Sequence, residues 1–135
     1  MIEFYEAWVF KAQSDLRTAE MAAHHNDPAT DTAIYHTQQC AEKALKGFLA
    51  YRQSKIQKTH NLVRLVEQCT VLDPAFESLL DDADELTPMG TEFRYPDDFD
   101  EIHDVSQLFP SVEEVEEAII KAKRILDFVK SKIVP

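Results

Sequence analysis

Apolar residues recur at helical spacing along most of the chain and predict a series of amphipathic helices. The first runs from about Glu3 to His24, and its apolar stripe consists of Phe4, Trp8, Val9, Ala12, Leu16, Ala19 and Ala23. Asn26-Asp27-Pro28 ends it. A second helix is expected from about Asp31 to Arg52, with Ile34, Ala41, Ala44, Leu45, Phe48 and Leu49 on its apolar face and Gln39, Glu42, Lys43 and Lys46 on the opposite, polar face.

Glycine, proline and capping residues place the remaining elements. A glycine inside a helix costs about 1 kcal/mol relative to alanine, so Gly47 indicates close approach of another helix. Thr59 is expected to cap a short third helix, and Asp73-Pro74 to open a fourth that ends at Pro88-Met89-Gly90. The last helix begins at Ser111, where Ser-Val-Glu-Glu forms a capping box, and its core-facing residues are Val112, Val115, Ile119, Ala122, Leu126, Val129 and Ile133.

This pattern predicts an all-α fold, an up-and-down bundle of four to five helices. The chain has 135 residues, 44% of them hydrophobic, which suits one helical domain over residues 1–135 with a core that needs no disulfide. Cys40 and Cys69 each lie among apolar residues of a predicted helix, so both are expected to be buried, reduced thiols. The absence of a long apolar run or a leader pattern at the N-terminus favours a cytoplasmic location.

The charge distribution is uneven along the chain. The net charge of −11 opposes nucleic acid and anionic membranes as a global field. The basic segment, which we define as Lys43 to Arg64, nevertheless contains six bases and no acid, whereas Asp73 to Asp104 contains twelve acids and one base, Arg94. The basic segment is therefore able to meet a phosphate locally.

The chain has few of the motifs that mark common enzymes. No glycine-rich phosphate loop, His-Glu-x-x-His helix or Cys-x-x-Cys pair occurs, which argues against the usual nucleotide-hydrolase designs and against a bound cofactor. The acidic stretch before the last helix lacks the glycine and the spacing of a calcium loop, so a solvated loop is favoured over a metal site; its acids are Asp97, Asp98, Asp100, Glu101 and Asp104.

Three ordered stretches carry the most specific signal: the run from Tyr35 to Lys46, the tetrapeptide Thr59-His60-Asn61-Leu62, and Phe93-Arg94-Tyr95-Pro96-Asp97. In this order and spacing they closely resemble the HEPN family. The resemblance implies a compact helical bundle, usually a homodimer, that works with nucleotides or RNA. Many members resemble one half of a two-gene module of the toxin–antitoxin type, whose other half is a minimal nucleotidyltransferase.

Some HEPN proteins are metal-independent ribonucleases in which an Arg and a His, four to six residues apart, cut RNA. In this chain only Arg17 and His24 have that spacing, with six residues between them. They lie on the first helix, whereas the catalytic pair of the family lies on a later one. The chain therefore resembles the non-catalytic partner type, and a pair from distant segments, such as Arg94 with His60, stays open as an alternative.

The residues expected to bind a nucleotide or RNA phosphate are Lys43, Lys46, His60, Arg94 and Tyr95. Lys43 and Lys46 lie one turn apart and can reach one phosphate or line a dimer cleft, although a solvated Glu42–Lys46 ion pair is an equal alternative. His60 is as well explained as a capping residue. Arg94 can instead stabilise its own acidic loop.

Asp15 lies near the centre of the first apolar stripe, where a carboxylate is costly unless it is paired. Lys11, one turn back, is one possible partner. The alternative is that Asp15 orients a Lys or Arg of the basic segment at a shared cleft. The sequence thus leaves three functions open: a nucleotide-binding partner module, which is favoured, a metal-independent ribonuclease, and a purely structural dimeric scaffold.

Overall fold

The computed structural model describes residues 1–90, 93 and 95–133. Five α-helices contain most of them: α1 (Phe4–His24), α2 (Thr30–Tyr51), α3 (Leu62–Leu72), α4 (Leu80–Leu86) and α5 (Val112–Lys132). No strand occurs in these residues. The predicted all-α bundle of four to five helices is confirmed, with α2 packed against α1, α3 and α5.

The helix ends largely follow the predicted capping residues. Ser111 Oγ accepts a hydrogen bond from Glu114 N at 3.1 Å, and Glu114 Oε1 accepts one from Ser111 N at 3.2 Å, which confirms the capping box of α5. Asp73 also caps as predicted, but the helix it opens begins as a 3₁₀ segment, Pro74–Leu79. The prediction for Thr59 is wrong. Asn61 caps α3, because it directly precedes the first helical residue and its Oδ1 accepts from Arg64 N.

The core is formed mainly by α2 and the helices around it. Three aromatic rings of the core are in contact. The ring centroid of Phe76, in the 3₁₀ segment, lies 4.3 Å from that of Phe48 on α2 and 4.9 Å from that of Phe128 on α5. Cys40 and Cys69 are buried free thiols, as predicted. Two expected core residues, Phe4 and Val112, are instead 85% and 42% exposed. Each is the first residue of its helix, and helical side chains lean toward the N-terminus, so these two project beyond the bundle.

Gly47 lies where α1 and α2 approach most closely. A Cβ at this position would be 3.3 Å from both Trp8 Cβ and Val9 Cγ2 of α1. The close helix approach predicted from this glycine is therefore confirmed, and it brings Lys46, which precedes Gly47 on α2, next to Trp8 of α1.

The predicted polar face of α2 is not solvated. Glu42 and Lys46 are buried, while Gln39 and Lys43 are half-buried. The solvated Glu42–Lys46 pair, one of the two alternatives from the sequence, is therefore wrong, because α2 lies in the middle of the bundle and has neighbours on several sides. Its charged residues must therefore find partners inside the protein.

The acidic stretch between α4 and α5 contains short 3₁₀ segments, Thr87–Gly90, Pro96–Asp98 and Val105–Leu108. Asp104 and Gln107 form a reciprocal capping box around the last of them. The hydrogen bond from Ser106 N lowers the pKa of the exposed Asp104 carboxyl below its usual value, so this acid is charged at neutral pH.

Candidate functional site

A buried carboxylate on α2 organises a cluster of charged and polar side chains. Glu42 Oε2 accepts a hydrogen bond from Lys46 Nζ at 3.0 Å, and Glu42 Oε1 accepts one from His60 Nδ1 at 2.9 Å. The side chains of Glu42 and Lys46 are only 5% and 11% exposed, whereas that of His60 is 79% exposed. We call these three residues the Glu42 cluster. It joins the interior of α2 to a solvent-facing imidazole.

Gln38 fixes the chain segment that carries His60. Its Nε2 donates to the backbone oxygen of His60 at 3.1 Å and lies 3.4 Å from Glu42 Oε1. Gln39 Nε2 donates in turn to Gln38 Oε1 at 3.0 Å. The segment before α3 is thus bound to α2 through both its backbone and its side chain, which limits the positions the imidazole can take.

The geometry of the Glu42 cluster defines the protonation pattern of His60. An ionised carboxylate only accepts hydrogen bonds, so Nδ1 must carry the hydrogen in the contact with Glu42. The second nitrogen, Nε2, is then the basic one. A carboxylate that orients an imidazole in this way leaves Nε2 to accept a proton or, once protonated, to bind an anion.

Lys46 is held from two sides. Its Nζ contacts Glu42 and lies 5.8 Å from the centre of the Trp8 ring on α1, within the range of a cation–π interaction. The Glu42–Lys46 pair that the sequence suggested is therefore present, but it is buried and in contact with an indole, not solvated.

A second buried carboxylate, Asp15, links α1 to α2. Its Oδ1 accepts from His36 Nδ1 at 2.8 Å and its Oδ2 from Lys43 Nζ at 2.6 Å. We call these three residues the Asp15 cluster. The partner of Asp15 is thus a lysine of the basic segment and not Lys11. The predicted pair Lys43 and Lys46 contacts two different carboxylates.

His36 and Gln38 are the site residues that sequence reasoning missed. His36 is seven residues before Lys43, which places both on one side of α2, two turns apart, and within reach of one carboxylate. That spacing, together with an unpaired acid in the stripe of α1, was an available signal. Gln38 had no such signal, because its partner is a backbone oxygen of a loop.

Three of the remaining predicted residues, Tyr95, Arg17 and His24, belong to neither cluster. Arg94 falls outside the described residues. Tyr95 is exposed and directly precedes the 3₁₀ segment Pro96–Asp98. Arg17 is exposed on α1, and His24, two turns further along, contacts Glu116 Oε1 of α5 at 2.7 Å.

Burial raises the pKa of the Cys40 thiol to about 12, and the negative charge of Asp15 adds to this effect. Burial alone raises the pKa of Cys69 to about 12. Both thiols are therefore neutral at physiological pH, which makes them inert as nucleophiles. In the part of the chain that the structure describes, no three His, Cys, Asp or Glu side chains converge as metal ligands would.

None of the described helices is both long and apolar enough to span a membrane.

A search of curated proteins found no match to this chain. Two solved structures match over almost their whole length. ST0689, described as an archaeal HEPN homologue, is 29% identical, with 99% of this chain and 100% of that chain covered and a TM-score of 0.75. TT1696 from Thermus thermophilus is 28% identical, with 97% and 99% covered and a TM-score of 0.78.

The same similarity appears at the level of the sequence family. The model of the HEPN domain matches residues 5–132, a range that contains His60, all of α2 to α5 and all of α1 except Phe4. The stretches that first suggested the family include His36, Lys43 and Lys46 on α2 and His60 before α3. This chain therefore belongs to the HEPN domain family.

Proposed function

We propose that this protein is a homodimeric partner module that binds the phosphate of a nucleotide or RNA and pairs with a minimal nucleotidyltransferase in a two-gene module of the toxin–antitoxin type. Membership of the HEPN family supports the homodimer and the nucleotidyltransferase partner. The phosphate-binding role rests on the Glu42 cluster, and the participation of Lys43, Arg94 and Tyr95 stays a prediction from the sequence.

The observation that carries the proposal is the exposed imidazole of His60. Glu42 and Gln38 hold its Nδ1 side and its backbone, so Nε2 is the nitrogen free to contact a ligand. Lys55 and Lys58, both exposed, lie in the same segment and add positive charge around it. Histidine and lysine donors bound to phosphate oxygens form charge-assisted hydrogen bonds, which are stronger than neutral ones.

Calorimetry with ATP and with a short single-stranded RNA at low salt tests this role. We expect binding by the wild-type protein and about tenfold weaker binding by His60→Ala. For RNA, the slope of log K against log salt should fall by about 0.7 when this contact is lost. His103→Ala is the matched control, because His103 is also exposed and also contacts a carboxylate, that of Glu101 at 3.0 Å.

Two results would contradict the binding role. One is an equal loss of affinity in His60→Ala and His103→Ala, which would show that the effect is not local. The other is the absence of heat and of salt-dependent binding with both ligands, which would leave the purely structural scaffold as the function.

A second candidate function, a metal-independent endoribonuclease, is favoured by one observation. A carboxylate-oriented imidazole with an accessible Nε2 is the arrangement a general acid–base group requires. Incubation with RNA in excess chelator tests it. Cleavage that His60→Ala abolishes would support catalysis at the Glu42 cluster, and cleavage that only Arg17→Ala or His24→Ala abolishes would assign it to α1. No cleavage at protein excess would rule it out.

A further inference from the structure

The two ends of the helical bundle differ in charge. The rings of Tyr5 and Tyr51 are in edge-to-face contact with centroids 5.1 Å apart, so α2 ends beside the start of α1. The contact of His24 with Glu116 places the start of α5 beside the end of α1. Because α1 has 21 residues, these two ends are about 30 Å apart. Exposed Arg52, Lys55 and Lys58 follow α2 at the first end.

The second end is uniformly acidic. Residues 95–120 contain no Lys or Arg and nine acids: Asp97, Asp98, Asp100, Glu101, Asp104, Glu113, Glu114, Glu116 and Glu117. Besides Asp97, six of these acids are exposed in the segment that leads into α5 and in the first turns of α5, namely Asp100, Glu101, Asp104, Glu113, Glu114 and Glu117. A ligand that carries phosphate is repelled here, and a cationic one is attracted.

Exposed apolar side chains lie among these acids. Ile102, Val105, Phe109 and Val112 are between 42% and 68% exposed, and all four fall within eleven consecutive residues. We call these four residues together with the six exposed acids the acidic–apolar surface. Apolar groups concentrated on one surface and rimmed by charge are typical of protein contact sites.

We infer that the acidic–apolar surface docks a partner protein through a contact region that combines Lys or Arg with apolar side chains. Charge complementarity selects this occupant, because the acids exclude nucleic acid and a second acidic surface, and the apolar residues distinguish a protein from a simple cation. A second copy of this chain, with a net charge of −11, is disfavoured as a partner through the same surface. The inference rests on the partner-module part of the proposed function and concerns residues other than those of the Glu42 cluster.

Fluorescence anisotropy with two labelled peptides of equal length and charge tests this inference. One peptide arranges Lys and Leu as an amphipathic helix, and the other replaces each Leu with Ser. We expect the Lys/Leu peptide to bind the wild-type protein about tenfold more tightly than the Lys/Ser peptide. The double variant Val105→Ser/Phe109→Ser should lose most of that difference.

Matched controls lie elsewhere on the surface. Val71 and Ile2 are also exposed apolar residues, so Val71→Ser/Ile2→Ser should bind like the wild type. For charge, Asp100→Asn/Glu101→Gln should weaken binding of both peptides, whereas Asp81→Asn/Asp84→Asn on α4 should not. Circular dichroism confirms that each variant is folded.

Three outcomes would overturn the inference. The first is equal binding of the two peptides, and the second is an equal loss of peptide affinity in the control variants. The third is sedimentation of oligomers that grow with protein concentration, which would make the basic end of a second copy the occupant. Calorimetry with ATP on Val105→Ser/Phe109→Ser separates this site from the proposed phosphate site. Peptide binding without any nucleotide binding would reject the phosphate site and keep the docking surface.

Discussion

The Asp15 and Glu42 clusters use the same residue types for different purposes. Each is a buried carboxylate that contacts one lysine and one histidine. Asp15 lies on α1 and both of its partners lie on α2, so its contacts hold two helices together. Glu42 has its lysine on its own helix and its histidine on a loop, where the imidazole is exposed.

This difference teaches that burial of a charged group does not by itself indicate function. In the Asp15 cluster both carboxylate oxygens contact half-buried side chains of the neighbouring helix. In the Glu42 cluster the buried charge supports a group that faces solvent. A candidate binding site therefore differs from a structural cluster in the exposure of the histidine that contacts the carboxylate, and not in the strength of the ion pair.

The largest expected effect is the loss of stability when the buried carboxylate of either cluster is replaced by a neutral amide. Asp15→Asn leaves Lys43 without its counter-charge, and Glu42→Gln does the same to Lys46. Removing one partner of a buried pair is strongly destabilising, so each variant should lose about 2–4 kcal/mol of unfolding free energy in urea titrations followed by circular dichroism. Asp127→Asn, which breaks the exposed pair with Lys123, should change it by about 0.5 kcal/mol or less.

The same variants separate the clusters by function. Glu42→Gln should weaken ATP binding, because the neutral amide no longer favours the hydrogen on Nδ1 of His60. Asp15→Asn should leave it unchanged. If Asp15→Asn lost as much affinity as Glu42→Gln when both are folded, the distinction between the two clusters would be wrong.

A smaller effect compares the two histidines. His36 is half-buried between α1 and α2, whereas His60 is mostly exposed. We expect His36→Ala to lower the unfolding free energy by about 1–2 kcal/mol and His60→Ala by about 0.5 kcal/mol, since the second variant leaves Glu42 paired with Lys46. Larger destabilisation by His60→Ala would show that the loop before α3 depends on the imidazole.

The two thiols give a pH dependence of stability, which comes last because it appears only above about pH 9. Burial raises their pKa in the folded protein to about 12, against a reference value of 9.0. The unfolded chain therefore loses these protons first as the pH rises, so the stabilisation is complete below about pH 9 and declines above it. Unfolding in urea between about pH 8 and pH 10.5 should show a shallower decline for Cys40→Ala/Cys69→Ala than for the wild type.

The thiols also report on the Asp15 cluster. The charge of Asp15 contributes to the raised pKa of Cys40 but not to that of Cys69, whose pKa is raised by burial alone. In Asp15→Asn the pKa of Cys40 should therefore fall, which the thiolate absorbance of Cys69→Ser protein can measure. An unchanged pKa would mean that the charge of Asp15 does not contribute to the raised pKa of Cys40.

Most of the fold was accessible from the sequence, because its causes are local. The Ser111 capping box, the Asp73 cap and the close approach at Gly47 each depend on a few neighbouring residues. The polar face of α2 was misjudged because helical spacing gives the angle between side chains but not the number of helices packed around them. The exposure of Phe4 likewise depends on where its helix ends.

The candidate site was only partly predictable. The sequence identified Lys43, Lys46 and His60 as site residues. It also indicated that Asp15, in the apolar stripe of α1, needs a partner. The contact of His60 with Glu42 joins residues 18 positions apart through a loop whose path no periodicity describes. The bond from Gln38 to a backbone oxygen has no side-chain signature at all.

Charges of opposite sign at the two ends of α1 give the molecule an electric dipole along this helix. At low ionic strength a polyanion would turn the protein before contact, so that encounters begin at the basic end although the net charge is negative. At physiological salt the screening length is about 8 Å, much shorter than the helix. Each end then acts alone, so repulsion of an anionic ligand by the acidic end would not extend to the basic end.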